Sequence, residues 1–123
     1  MNKVHFYAFF EYMVNEVKET RDAGQKEYAH TEDDVFANFK RTGESIDSPS
    51  SKVLMTFLLK HIDGINAHIK GHDSQREDVT GRIKDAITYL FLLWAMVEGE
   101  KQLNAIKEPK MPPGSILRVE KMA

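Results

Sequence analysis

The chain contains no cysteine. That absence removes disulfides, thiolate metal ligands and thiol nucleophiles together, and it fits a reducing compartment, so a cytoplasmic location is the expectation. Long hydrophobic runs are also missing: Tyr89 to Val97 is about half the length needed to cross a bilayer. The opening MNKVHFYAFFEYMV is interrupted by Glu11 and followed by no small-residue cleavage site, so it reads as mature structure and not as a signal sequence. Charge of one sign is not in excess, since 17 basic and 19 acidic residues leave a net charge of -2. With Lys and Arg spread along the chain, nothing provides a sequence-independent pull on a nucleic-acid backbone. No glycine-rich phosphate loop, Ser-His-Asp order, paired-histidine zincin motif, internal repeat or nucleic-acid recognition signature is present.

What remains is an ordinary globular composition, 41% hydrophobic and 29% charged over 123 residues, enough for one core. Phe6, Phe9, Phe10, Met13, Val14 and Val17 recur at helical spacing and predict an amphipathic helix from Lys3 to about Asp22, with Ala23 and Gly24 as a weak stop past which QKEYAH can continue the helix. Thr31, backed by Glu32, Asp33 and Asp34, predicts a second helix start, with Val35, Phe36, Phe39 and Ile46 as its buried face. Asp47 to Ser50 place a proline at the start of a third helix, carried by Val53, Leu54, Phe57, Leu58, Ile62, Ile65 and Ile69 and ended by Gly71. A fourth and longest helix, capped by Ser74, runs from about Gln75 to Ile106, its apolar half central to the core. Three of the four prolines follow Glu108 and forbid helix there. The predicted architecture is therefore an all-α four-helix bundle over residues 1–108, with an extended, irregular tail over 109–123.

The stretch REDVTGRIKDAITYLFLLWAMVE places Glu77 and Asp85 a little over two helical turns apart, with Arg82 and Tyr89 near Asp85. Joined by Asp63 from the third helix, these carboxylates would form an all-oxygen site suited to Mg2+ in contact with substrate phosphates. The competing account is a set of ordinary surface pairs with Arg76, Arg82 and Lys84. Lys60, His61 and Arg82 are the groups suited to phosphate or proton transfer, while Asn38 and Arg41 bring amide and cationic groups toward a base. Tyr28, Phe36 and Trp94 are candidates for stacking on that base, although Phe36 and Trp94 fit a core equally well. His68 and His72, one helical turn apart, lack a third metal ligand.

Three segments carry a resemblance: EYAHTEDDVFANF, KHIDGINAHI and EDVTGRIKDAITYLFLL, in that order, spanning about Glu27 to Val97. They resemble the nucleotide modification associated domain 1 family of phages and bacteria, whose pattern is similar to the MazG-type all-α nucleotide pyrophosphohydrolases. The resemblance places Asp63 at the third-helix acid, Glu77 and Asp85 at two acids of the last helix, and Tyr89 at its tyrosine. The sequence departs from the pattern at Gly81, where a further acid is expected, and at Thr88, where an Asn is expected. Nor are two complete MazG carboxylate motifs present, since EVKE at Glu16 to Glu19 has only the first spacing. The resemblance implies a phage-type nucleotide-binding protein of the (host) cytoplasm and a Mg2+-dependent nucleoside triphosphate pyrophosphohydrolase. In that activity Asp63, Glu77 and Asp85 would hold the metal, and Lys60 or Arg82 would offset phosphate charge. Two alternatives stand beside it: a non-catalytic protein that sequesters a nucleotide or a host-defence nucleotide signal, and a structural or inhibitory phage component. A homo-oligomer is expected in each case.

Overall fold

In the computed structural model, which describes residues 1–30, 33–72 and 76–106, the chain is an all-α helical bundle with no strand among the described residues. Its α-helices are α1 (Lys3–Gly24), α2 (Ala37–Ile46), α3 (Ser50–Ile69) and α4 (Val79–Ile106). Two compact units divide the chain, Met1–Leu93 and Trp94–Ala123. The tail expected over 109–123 and the boundary before it lie outside the described residues, as does the Ser74 cap.

Asn2 starts α1 by accepting the His5 N–H on its side-chain oxygen at 2.9 Å, which satisfies one of the free amides of a helix N-terminus. The chain does not stop at Ala23–Gly24 but continues through QKEYA, the alternative that the weak break left open. Gly24 keeps right-handed helical geometry, and the chain continues into a π-helical turn, Gln25–Ala29. Polar side chains hold this turn in place. Arg21 donates to the Gln25 side-chain oxygen and to Val35 O, and Gln25 donates to Asp34 O at 3.1 Å. His30, in the left-handed region at φ 63°, ends it.

Helix α2 starts at Ala37, six residues later than Thr31 predicted, and Thr31 itself lies outside the described residues. The acidic start signal belongs instead to Asp34, which accepts the Phe36 N–H at 2.9 Å and pairs with Lys40 at 2.7 Å. Of the face predicted to be buried, Phe39 is buried and Phe36 half-buried, whereas Val35 and Ile46 are exposed. The α2–α3 turn is tight: Asp47 adopts φ 54° and the Ser48 N–H donates to Gly43 O at 2.9 Å. Pro49 stands immediately before the first residue of α3.

Helices α3 and α4 lie antiparallel, with Phe57 against Tyr89, His61 against Asp85 and Gly64 against Arg82. Because α4 begins at Val79, a few residues later than predicted, Glu77 and Asp78 precede it. Asp favours such a position because its side chain competes with helical backbone hydrogen bonds, and Asp78 O accepts the Arg82 N–H at 3.2 Å.

The buried apolar core of the described residues consists of Ala29, Phe39, Val53, Leu54, Leu58, Ala86 and Leu92. Helix α1 adds nothing to it. The aromatic face of the predicted amphipathic helix, with Phe6, Phe9 and Phe10, is exposed, and so are Ile62 and Ile69 of α3 and Leu90 of α4. Periodicity identifies an apolar face but does not supply a partner for it, and α1 is tied to α4 at its second half, through Glu16 and Lys84 at 3.2 Å. No described helix is long and apolar enough to cross a membrane.

Candidate functional site

His61 projects from the buried face of α3, Asp85 faces it from α4, and Glu77 reaches in from the segment before α4. One ligand-type atom of each lies within 4.8 Å of the other two. The His61 Nε2 to Asp85 Oδ2 separation is 3.7 Å. Donors held at the ~2.0–2.2 Å usual for imidazole and carboxylate sit ~3–3.5 Å apart in a tetrahedral shell. The separations of 3.7 Å and up to 4.8 Å are wider than that, so the three atoms would have to move inward to share one ion.

The predicted third acid, Asp63, is not part of this group. It is exposed, because two residues along a helix is a rotation of about 200° and the face carrying His61 turns Asp63 away from α4. His61 takes the position assigned to Asp63, and the donor set becomes one nitrogen and two carboxylates instead of three carboxylates. The pairing expected by the competing account is seen for Glu77 with Arg82, whereas Asp85 faces His61 instead of Arg76, Arg82 or Lys84. Lys84 pairs with Glu16, and the Asp85 side chain is only 32% exposed.

Half-burial and the adjacent Glu77 carboxylate push the Asp85 pKa above its ordinary value, and the His61 and Arg82 charges only partly offset this. Two carboxylates held together away from bulk water favour a proton or a cation between them. Arg82 Nη1 lies 3.9 Å from Glu77 Oε2. Its side chain runs against Gly64, where a Cβ would stand 2.5 Å from Arg82 Cδ, Nε and Nη1 and would push the arginine from this position. His61 Nδ1 and Arg82 Nε are buried without hydrogen-bond partners. Tyr89 braces the histidine, its ring centroid 5.6 Å from His61 in a stacked arrangement and 6.3 Å from Phe57.

Asp85 also borders a cleft of about 300 Å³, lined by Arg21, Glu27, Tyr28, Asn38 and Tyr89 among others. Tyr28 is raised in pKa first by the Glu27 charge, and Tyr89 first by burial and then by Asp85, so both phenols stay protonated near neutrality. Tyr28, Asn38 and Tyr89 line one cleft. Arg41 does not line the cleft; it donates to Tyr28 O at 2.7 Å and closes the end of the π-helical turn. Lys60 is exposed, and His68 and His72 form no metal-type cluster among the described residues. Phe36 does not line the cleft, and Trp94 is exposed in the second unit.

Sequence reasoning passed over Arg21 and Glu27. Glu27 was signalled by its place beside Tyr28. Arg21 had no local signal, because nothing in its own segment shows which face of α1 meets Val35 and the cleft. No family model, curated protein or solved structure matches the chain.

Proposed function

We propose that this protein binds a nucleotide, whose phosphate charge a divalent cation held by His61, Glu77 and Asp85 would neutralise, with the base lodged in the adjoining cleft. The observation that carries this reading is the convergence of those three side chains at the edge of a cleft they share through Asp85. A phosphate approaching Glu27, Glu77 and Asp85 unaided would be repelled, so the acidic edge suits a phosphate ligand only with a cation between them. Such a cation supplies charge neutralisation and a more acidic bound water. The chain's own groups do the rest. Tyr28 and Tyr89 offer ring faces to a base, Asn38 offers an amide to its edge, and Arg82 holds Glu77 in place. Hydrolysis on this site is attack of water on a phosphorus of the phosphoanhydride, with the bridging P–O bond breaking and the water proton passing to a site carboxylate.

The donor set bears on the metal. An all-oxygen site favours Mg2+, whereas an imidazole in the shell shifts preference toward Mn2+ or Zn2+. Titration calorimetry with Mg2+, Mn2+ and Zn2+, with and without a nucleotide panel, is the test. The expected result is tighter binding of Mn2+ or Zn2+ than of Mg2+, and nucleotide binding that depends on the cation. Loss of His61 in His61→Ala should weaken cation binding beyond the ~10–100-fold typical of an outer-shell partner. Cation binding that His61→Ala and Asp85→Asn leave unchanged in a folded protein would end the proposal.

The second reading, capture without turnover, is favoured by Gly81. A Cβ there would lie 3.7 Å from Glu77 Oε1, so an acid at this position would stand beside Glu77, and the chain lacks it. Release of pyrophosphate or phosphate from bound nucleoside triphosphate separates the two readings. Recovery of intact nucleotide supports capture.

A further inference from the structure

The exposed apolar residues of α3 and α4 are not scattered. Besides Phe91 and the positions from Trp94 onward, they are Met55, Leu59, Ile62 and Ile69 on α3 and Ile83, Ile87 and Leu90 on α4, all at least 36% exposed. Their spacings alternate four and three residues, with Asn66 at the missing α3 position. This is the 3.5-residue repeat of a helix–helix seam, not the 3.6-residue face of a helix lying on a core. Leu59 and Ile62 project about 160° and 100° away from His61 around α3, so the seam and the cation site use different sides of the helix.

We infer that the antiparallel α3–α4 pair is one half of a four-helix seam whose other half is the same pair from a second copy of this chain. Area supports this. At ~150–250 Å² for a large apolar residue, the seven side chains leave on the order of 600 Å² uncovered, the upper end of what a typical monomer exposes in one patch. At the ~65% apolar share of a homodimer interface, that corresponds to on the order of 900 Å² per partner, above the ~800 Å² of a standard interface. Symmetry selects the occupant. A two-fold partner presents the same two stripes, so each stripe finds a matching one with no further component required. Asn66 inside the α3 stripe is the kind of polar interruption that sets register in such seams, at some cost in stability. The aromatic first half of α1 is exposed as well, but Tyr7 and Tyr12 lie on other sides of the helix from Phe6 and Phe10, so its apolar surface is not confined to one stripe.

The test is the mass of the full-length protein in solution by sedimentation equilibrium. Twice the 14.1 kDa chain mass is expected at micromolar concentration, and Leu59→Glu with Ile87→Glu should raise the dissociation constant at least ~100-fold. Both positions are exposed in the single chain, so helical circular dichroism should persist in the variant. Because the chain has no cysteine, Leu59→Cys gives a second readout that leaves the surface apolar. A short bis-maleimide should link it to a covalent dimer, whereas Lys18→Cys on α1 should not link. A monomer at ~100 μM overturns the inference and leaves the stripe to a different protein. A dimer broken by Phe9→Ser and Phe10→Ser but not by the stripe changes overturns it in favour of α1. Neither result bears on the cation site.

Discussion

At the scale of single residues, the position of Asp85 is set by two opposed demands. Burial and Glu77 raise its pKa, so the folded state takes up a proton more readily than the unfolded chain does. Above the folded-state pKa the ionised group costs stability. As pH falls through that value toward the ordinary carboxylate range, the folded state gains protons first and becomes more stable relative to the unfolded chain. Without added metal, Asp85→Asn is therefore expected to stabilise the protein at neutral pH, by roughly 0.5–1 kcal/mol, and to flatten the pH dependence of its thermal midpoint. Thermal unfolding from pH 4 to 8 measures both effects. A loss of stability at pH 7 would show that Asp85 is held by favourable pairing and not by forced proximity to Glu77. The same residue was legible in the sequence as an acid two turns beyond Glu77. The choice of Asp63 over His61 as their companion was not settled there, because KHID offers both and only the direction of α4 decides which one faces it.

At the scale of elements, glycine shows how the same substitution takes opposite signs in different packing. A Cβ on Gly43 would overlap the carbonyl oxygen of Ser48, which is backbone inside the α2–α3 turn and has nowhere to move. Gly43→Ala should cost about 1–3 kcal/mol, the range for forcing an atom into a filled site. Gly81 lies inside α4 with room for a methyl group, so Gly81→Ala should gain up to about 1 kcal/mol from helix propensity alone. Chemical denaturation of the two variants checks both signs, and equal effects would mean that the turn is not as tight as Ser48 makes it. The helices α1, α3 and α4 were legible from periodicity, and the α2–α3 turn from Asp47, Ser48 and Pro49. A continuation past Gly24 was legible as an alternative, but its π-helical form was not, because it depends on Gln25 meeting Asp34 nine residues on and Arg21 meeting Val35 fourteen residues on.

At the scale of the whole molecule, the described residues leave more large apolar side chains exposed than buried, which is the condition under which association adds to stability. If a second copy covers the α3 and α4 stripes, the thermal midpoint should rise with protein concentration, because mass action favours the state that binds its own copy. A midpoint unchanged over a hundredfold dilution series would place the fold's stability within one chain. The sequence by itself determined that the chain is helical, where most of the helices lie, and that acids at 77 and 85 sit near an apolar run, since spacing and capping are local properties. Which apolar faces are covered, that His61 and not Asp63 meets those acids, and that Tyr28, Asn38 and Tyr89 share a cleft with Asp85 were decided only by tertiary structure. The reason is rotational: a helix repeats its pattern on every side, and only the neighbour packed against it chooses which side is inside.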